Sequence, residues 1–546
     1  MEENNSEINN INNNIKNPSE NYFDDLFIVS ETEAIPDNLI TSLKINHSFV
    51  LSFINPNSGP RQGVTVLEYA ELFKSKSILN YKIISFPIQI DQNQENGLKE
   101  LINKKDLNEI KRYNSYPSGS NYEFSSIFFN ILNKEDVQRG VKFIKKYISS
   151  FPNNKIKILI GGGDGSTVRF IEELINEEIN LSKCIFGIIP IGTGNDLSNT
   201  LGFGGEVAIN GIISLQNLLY KYFNATPTKL DIWEINVKLD EHQGYIYDYD
   251  STKKKSLDFK RSFVNYFSMG YDAIIGFTFE PKRTSNRCYN KFIYALEGFK
   301  RFICCKKNYG MTELFESFQE EITNLELKNI TNKERNSIDF SKNSEGNSTD
   351  FSDIEEVKND PLLIKEEKDN FIEDNRKIIF KTKNSGNISS NIILKGNPVS
   401  IVCQNIFYYM GGVKNIWANS SNLGIAPEET TKSQFKEYKK DIFDSFQEQS
   451  YNDKKLEILV YENSVEEALE NIKRGMGNRI YQGSGPFYFK FKNNVNNLEQ
   501  KGIGNVYLNL DGEFYHLENP LEISIKINNN ICNGQLNFLQ NLLNNK

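Results

Sequence analysis

Three short stretches carry residues that could do chemistry. "NPNSG" supplies Asn55, Pro56, Asn57, Ser58 and Gly59. "GGGDGS" supplies Gly161, Gly162, Gly163, Asp164, Gly165 and Ser166. "GTGND" supplies Gly192, Thr193, Gly194, Asn195 and Asp196, with Leu197 next. Glycines let backbone N–H groups approach a ligand, and a helix that begins at such a loop presents its positive end there. Loops of this kind suit a polyphosphate. Asp164 would repel a bare phosphate, so its carboxylate makes sense when a divalent cation accompanies the anion. Mg²⁺ takes one or two carboxylates together with waters and substrate oxygens. The same residues also read as a tight turn with Asp164 as a helix cap. The stretch is not a Walker A loop, because the closing Lys-Ser/Thr is missing, and Ser166 holds the place of the third glycine of GxGxxG.

The elements around these loops follow one grammar. "SFVLSFINP" (48–56), "KIKILI" (155–160) and "CIFGIIPI" (184–191) are apolar runs that read as buried strands, and each stops at one of the loops. After the second loop, Val168, Ile171, Leu174 and Ile175 form one stripe at helical spacing. Strand, loop, helix, strand predicts an α/β domain with a doubly wound, mainly parallel sheet, in which ligands bind outside the carboxyl ends of the strands. The later runs "LDIWEINV", "RSFVNYFSMGYD", "NIILKGNPVSIVCQNI", "KLEILVYE", "GPFYFKFKN", "NVYLNLDGEFY" and "LEISIKIN" are short, aromatic and β-branched. They predict a mainly antiparallel β domain, a sandwich.

Composition bounds the rest. The chain has 546 residues, of which 38% are hydrophobic, so part of it is expected to be disordered. The Asn-rich residues 1–44 and the polar, acidic stretch 312–392 have that composition. The first twenty residues lack the apolar core of a signal peptide, and no run is long enough to span a bilayer. Six scattered cysteines form no CxxC pair, which argues against a zinc module and for an intracellular, cytoplasmic setting. A formal net charge of −8 argues against bulk nucleic-acid binding.

"GGDGS" followed by "PIGTGNDLS" resembles the catalytic domain of diacylglycerol kinases, which usually show GGDGT and then P-x-GTGNDL-[AS]-R. Ser166 keeps the hydroxyl of that Thr, whereas Asn199 stands where the Arg is usual. "NPNSGPRQG" (55–63) resembles the opening NP-x-SG motif of the family. "LDIWEI", "NYFSMGYDAIIGFTFE", "NRCYNKFIYALEGFK", "MGGVKNIW" and "LDGEFYHLENPLEISI" are similar to its accessory domain, in the same order. The cysteine-rich lipid-binding modules of animal members are absent from the sequence.

The resemblance implies a phosphofructokinase/NAD-kinase-like catalytic domain over 45–204 and an accessory β domain over 205–311 and 393–546. It implies transfer of the γ-phosphoryl group of ATP, with Mg²⁺, to the primary hydroxyl of 1,2-diacylglycerol, giving phosphatidic acid. The three loops would bind the nucleotide, with Asp164 at the metal and Asp196 and Leu197 toward the substrate. Asp511, supported by Glu513, would be the general base, with Asp164 as the rival for that role. Asp511-Gly512 also reads as a hairpin turn. A kinase of sphingosine or ceramide and a catalytically silent sensor are the alternatives. Diacylglycerol lies in membranes, and Lys253–Lys307 holds 13 Lys and Arg against 4 Asp and Glu, a net charge of +9. That segment, with Phe299, Phe302, Ile303 and an acylatable Cys304–Cys305 pair, is the candidate for peripheral attachment to an anionic leaflet.

Overall fold

The computed structural model describes residues 48–58, 62–72, 82–86, 124–192, 194–248, 258–284, 287–303, 310–321, 378–384, 387–388, 392–394, 398–422, 425–427, 446–470, 473–492 and 505–542. The expectations for residues 1–44, Gly59, Thr193 and the Cys304–Cys305 pair lie outside these. The chain divides into two compact units.

The first unit is built on strands β1 (Ser48–Ile54), β2 (Lys82–Phe86), β3 (Phe124–Asn130), β4 (Ile156–Gly162), β5 (Cys184–Pro190) and β6 (Thr226–Asp231). Its helices are α1 (Gln62–Leu72), α2 (Lys134–Ser150), α3 (Asp164–Asn176), α4 (Asp196–Thr200) and α5 (Ile212–Asn224). The strand Gln535–Gln540 joins them, in the order β2-β3-β1-β4-β5, Gln535–Gln540, β6. β3, β1, β4, β5 and the C-terminal strand run parallel, and β2 is an antiparallel edge. β4 and β5 are buried almost throughout, which is why they read as continuous apolar runs rather than alternating ones.

Helix α3 buries Val168, Ile171 and Leu174, as its stripe predicts, but Ile175 is only half-buried and Phe170 takes its place. The reason is a ring from a distant strand: Phe170 meets Phe53 of β1 at 4.3 Å between centroids. Phe53 in turn stacks on Phe129 of β3 at 4.8 Å. Strand, helix and strand are thereby fixed around one aromatic stack, just below the loops.

The second unit consists mainly of antiparallel strands in two sheets. One runs in the order Ser421–Asn422, Asn478–Gly483, Leu456–Tyr461, Ser400–Gln404, Tyr266–Gly270, Asn505–Leu510, Glu513–Glu518, Tyr245–Asp248. The other runs Ile425–Pro427, Ile392–Leu394, Ile378–Asn384, Phe315–Glu321, Phe487–Phe491, Pro520–Ile527, Trp233–Leu239, Asp258–Phe263. Trp233, Ile235, Phe489 and Ile523 of the second sheet share one apolar core with Phe267, Met269, Ile401 and Leu508 of the first. Two helices matter below, α6 (Tyr271–Phe279) and α7 (Arg287–Ile303).

The expectation of a structureless stretch over 312–392 needs correction at both ends. Phe315–Glu321 pairs in parallel with Ile378–Asn384 and antiparallel with Phe487–Phe491. Phe315 and Phe318 are buried among phenylalanines of the neighbouring strand, with Phe315 5.0 Å from Phe491 and Phe318 4.8 Å from Phe489. Two aromatic anchors outweigh the polar composition around them.

The C-terminal strand is an inner strand of the first unit. Leu536, Phe538 and Leu539 are fully buried, and Phe538 lies 5.7 Å from Phe186 of β5. Phe538→Ala should therefore cost about 3–5 kcal/mol, the usual cost of truncating a buried phenylalanine. Urea denaturation of wild type and variant measures it.

Candidate active site

Each phosphate-loop candidate of the first unit sits at the carboxyl end of a parallel strand. Asn55 follows β1, Gly163 lies between β4 and α3, and Ile191 to Asn195 link β5 to α4. The loops are tied to one another through backbone and side chains. Asn55 N–H donates to the Gly161 carbonyl at 2.8 Å, and its side-chain amide donates to Ser166 Oγ at 3.0 Å. Asn57 N–H donates back to Asn55 Oδ1 at 2.9 Å. Gly192 N–H donates to the Gly162 carbonyl at 3.1 Å. A Cβ on Gly192 would lie 2.3 Å from Gly163 Cα, so the two loops touch backbone to backbone and only glycine fits.

Asp164 closes this arrangement. Its Oδ2 accepts from Asp196 N–H at 2.8 Å and its Oδ1 from Leu197 N–H at 3.4 Å. It begins α3 and at the same time caps the first turn of α4, where a carboxylate suits the helix dipole. The cap reading of Asp164 therefore holds, but for the helix of the other loop. Asn195 is in the left-handed region at φ 59° and buried; its amide donates to the Gly192 and Gly205 carbonyls at 2.9 and 2.8 Å. Asn195 thus holds the loop in shape. Asp196 and Leu197 are buried as well. Gly163 at the N-cap of α3 has no side-chain cap, so backbone alone frames the start of that helix.

Asp511 and Glu513 belong to the second unit. Asp511-Gly512 is the two-residue turn between strands Asn505–Leu510 and Glu513–Glu518, with φ of 50° and 84°. Positive φ at both positions is the type I′ geometry that joins twisted strands. The carboxylate of Asp511 turns inward. Oδ1 accepts from Asn265 N–H at 2.8 Å and Tyr266 N–H at 3.1 Å, and Oδ2 from Val264 N–H at 2.8 Å. Burial pushes this carboxyl up to about 7; the backbone donors pull the other way, and the Glu513 charge adds to the rise. Glu513 itself accepts from Tyr515 Oη at 3.0 Å.

The sequence reading missed what holds this turn. Asn509 accepts from Gly512 N–H at 3.0 Å and donates to Asp272 Oδ2 at 3.2 Å. Asp272 is fully buried, also accepts from Ser268 and Tyr409 hydroxyls, and is pushed upward by burial. "YFSMGYD" placed Ser268 and Asp272 four residues apart, a spacing that was a signal for their contact. The Val264, Asn265 and Tyr266 donors are backbone groups and left none.

Residues 122–219 match the diacylglycerol kinase catalytic domain, and residues 262–348 and 354–514 match the diacylglycerol kinase accessory domain. The chain belongs to the diacylglycerol kinase family. It is 31% identical over 172 residues to human diacylglycerol kinase iota, a match spanning 30% of this chain and 15% of the relative. With human diacylglycerol kinase zeta it is 31% identical over 157 residues, 28% of this chain and 16% of the relative. With diacylglycerol kinase 3 of Arabidopsis thaliana it is 24% identical over 299 residues, 49% of this chain and 53% of the relative. The chain thus spans between about a seventh and about half of the length of these relatives. The catalytic-domain match takes in Gly161–Ser166 and Gly192–Leu197, and the accessory match reaches Asp511 and Glu513. Asn55 to Ser58 lie ahead of the matched residues, yet Asn55 is tied directly to the family's glycine loop through Ser166.

Asp164→Ala removes the acceptor of two buried N–H groups at the start of α4. It should lower stability by about 1–3 kcal/mol, the cost of leaving buried donors unsatisfied. Chemical denaturation followed by circular dichroism tests this without any assay of activity.

Proposed function

We propose that this chain transfers the γ-phosphoryl group of ATP to the primary hydroxyl of 1,2-diacylglycerol, yielding phosphatidic acid and ADP. The observation that carries the reading is the Asp164 carboxylate joining the glycine loop to the GTGND loop, within the stretch that matches the kinase catalytic domain. The parallel core β3-β1-β4-β5 supports the phosphofructokinase/NAD-kinase-like, doubly wound reading of this unit.

The residues fit the nucleotide. Gly161, Gly162, Gly163, Gly165 and Gly192 offer backbone to phosphate oxygens, and the N-terminus of α3 opens into the same cradle. Asn55, Pro56, Asn57 and Ser58 form its other wall, with Asn55 and Ser166 fixed on each other. Gly194 lies beside Asp164: a Cβ there would be 3.8 Å from its Oδ2. Among the described residues no group of three or more His, Cys, Asp or Glu side chains could hold a metal. Asp164 by itself fits Mg²⁺ in the way that cation is held beside nucleotide phosphates, by few carboxylates plus phosphate oxygens. Bound there, Mg²⁺ would neutralise phosphate charge.

In the transfer, the lipid hydroxyl oxygen forms the bond to the γ-phosphorus while the bond from phosphorus to the ADP oxygen breaks. The hydroxyl proton goes to the Asp511 carboxylate. A carboxyl raised to about 7 is a far better proton acceptor than an ordinary aspartate, and the Glu513 charge contributes to that rise. Asp196 and Leu197, assigned to the substrate end, are buried at the start of α4 and would support that end of the cradle from behind.

Incubation with γ-labelled ATP and a panel of lipid alcohols, followed by chromatography, tests the reading. Labelled phosphatidic acid is the expected product. Label on sphingosine or ceramide instead would move the substrate to another lipid alcohol. Nucleotide binding without any labelled lipid would make the chain a silent sensor.

Asp511→Asn should lower turnover by roughly 10²–10⁴, the usual contribution of positioned acid–base catalysis, and leave ATP affinity nearly unchanged. Its amide also brings an N–H toward backbone donors, so unfolding should be easier by about 1–3 kcal/mol. Titration with ATP and denaturation curves separate these effects. Retained turnover would remove Asp511 from the role of base and put Asp164 in its place.

The pH dependence has two opposite signs. Turnover should rise as Asp511 loses its proton, with an apparent pKa near the value of about 7. Stability behaves otherwise, because a carboxyl raised in the folded state favours folding in its protonated form. Its contribution is complete below the ordinary value of 3.8 and is lost as pH rises through about 7. Rate profiles and melting curves from pH 4 to 8, compared with Asp511→Asn, check both.

A further inference from the structure

We infer that one face of α7 is the surface by which this chain docks on an anionic bilayer. The inference adds a partner to the lipid-kinase reading and rests on that reading only for the reason a bilayer is visited.

The helix has two contrasting faces. Asn290, Ile293 and Glu297 are buried. Tyr294 stacks edge-on with Phe279 of α6 at 5.5 Å, and Tyr271 Oη donates to the Gly298 carbonyl at 2.8 Å. The other face carries Phe292, Leu296 and Phe299, spaced i, i+4 and i+7, at 61%, 37% and 58% exposure. These are large apolar side chains in one stripe, facing outward on a firmly seated helix. An aromatic stripe of this kind on a helix with basic flanks is the form of an interfacial helix.

Basic residues near the helix in the sequence favour one occupant. Lys282 and Lys300 both reach Glu297 at 2.9 Å, so one carboxylate serves two ammonium groups whose side chains remain about half exposed. The segment Lys253–Lys307 carries a net charge of +9 in a chain of −8. Basic residues are attracted to an anionic leaflet within a Debye length. A protein partner fits less well. Three partly exposed side chains offer on the order of 300 Å², far below the roughly 1,200 Å² of a stable interface. A bilayer needs no matching surface, only depth for the rings and anionic headgroups for the lysines.

Sedimentation of the full chain with vesicles tests the inference independently of any activity. The vesicles are phosphatidylcholine, with and without about 30% phosphatidylserine, enough to give a negative surface potential. Wild type should bind the anionic vesicles, and added salt should weaken binding. Phe292→Ser with Phe299→Ser should lower partitioning about tenfold or more, through lost apolar insertion. Lys282→Gln with Lys300→Gln should lower it only at low salt. Phe292 and Phe299 are exposed, so circular dichroism melting of that variant should be unchanged; the lysine variant leaves the buried Glu297 carboxylate without two ammonium partners, so it is compared with wild type at a temperature where its own melting curve shows it folded. Phosphorylation of a lipid presented in detergent micelles should also persist in both variants. Wild type that ignores vesicles, or binds neutral and anionic ones alike, overturns the inference. So does a phenylalanine variant that partitions normally, including one whose sedimentation velocity shows a lost dimer. If vesicle binding behaves as stated and no lipid is phosphorylated, the docking surface stands and the kinase reading falls.

Discussion

A carboxylate that satisfies backbone N–H groups from another segment is the interaction on which both candidate sites depend. In the first unit Asp164 accepts from Asp196 and Leu197, so the start of α4 cannot be placed without the start of α3. Gly163 and Gly192, in the loops at the ends of two adjacent strands, meet backbone to backbone. Asn195 fills the remaining space with both amide hydrogens committed. The cradle is tied together by committed groups: the Asp164 carboxylate, the Asn195 amide hydrogens and the Asn55 amide each have a partner in a neighbouring loop or turn.

The second unit uses the same device with a different outcome. Asp511 gathers the N–H groups of Val264, Asn265 and Tyr266 and is buried while doing so. Donors favour the charged form and burial disfavours it; here burial wins, and the carboxyl is poised near neutrality. The type I′ turn makes that burial possible. Its left-handed backbone at Asp511 aims the side chain into the sheet rather than away from it, and Asn509 fixes the turn from beneath.

Much of this was legible in the sequence, and the gaps have identifiable causes. Strands that stop at glycines marked the loops of the first unit, because a buried parallel strand has an unmistakable apolar run. The stripe of α3 was legible at Val168, Ile171 and Leu174, but Phe170 was not, since its partner Phe53 is far away along the chain. "DG" between two alternating runs announced the hairpin at Asp511. That its carboxylate would hold three N–H groups was not legible, because backbone donors look alike in every sequence. Phe315–Glu321 was hidden because "FESFQEE" carries two anchors inside a polar run, and only its partner strand reveals their use. Likewise nothing within "QLNFLQ" says which sheet it enters; Phe186, far earlier in the chain, says it.

That last strand has a consequence for biosynthesis. The sheet of the first unit places Gln535–Gln540 between β5 and β6, although more than 300 residues separate that strand from β6 in the chain. A ribosome releases β1 to β6 long before it releases their missing neighbour. Until then β5 and β6 flank an open slot, with the partners of Leu536, Phe538 and Leu539 facing water. The slot is an unpaired edge of the kind that recruits foreign strands. Nearly all of the second unit, Asp231–Arg283 and Asn290–Gly534, is synthesised after Leu230 and before Gln535 of the first, and domains tend to fold as they emerge. The first unit to start is therefore completed only after the second, and its closure is a long-range event that waits on synthesis of Gln535–Gln540.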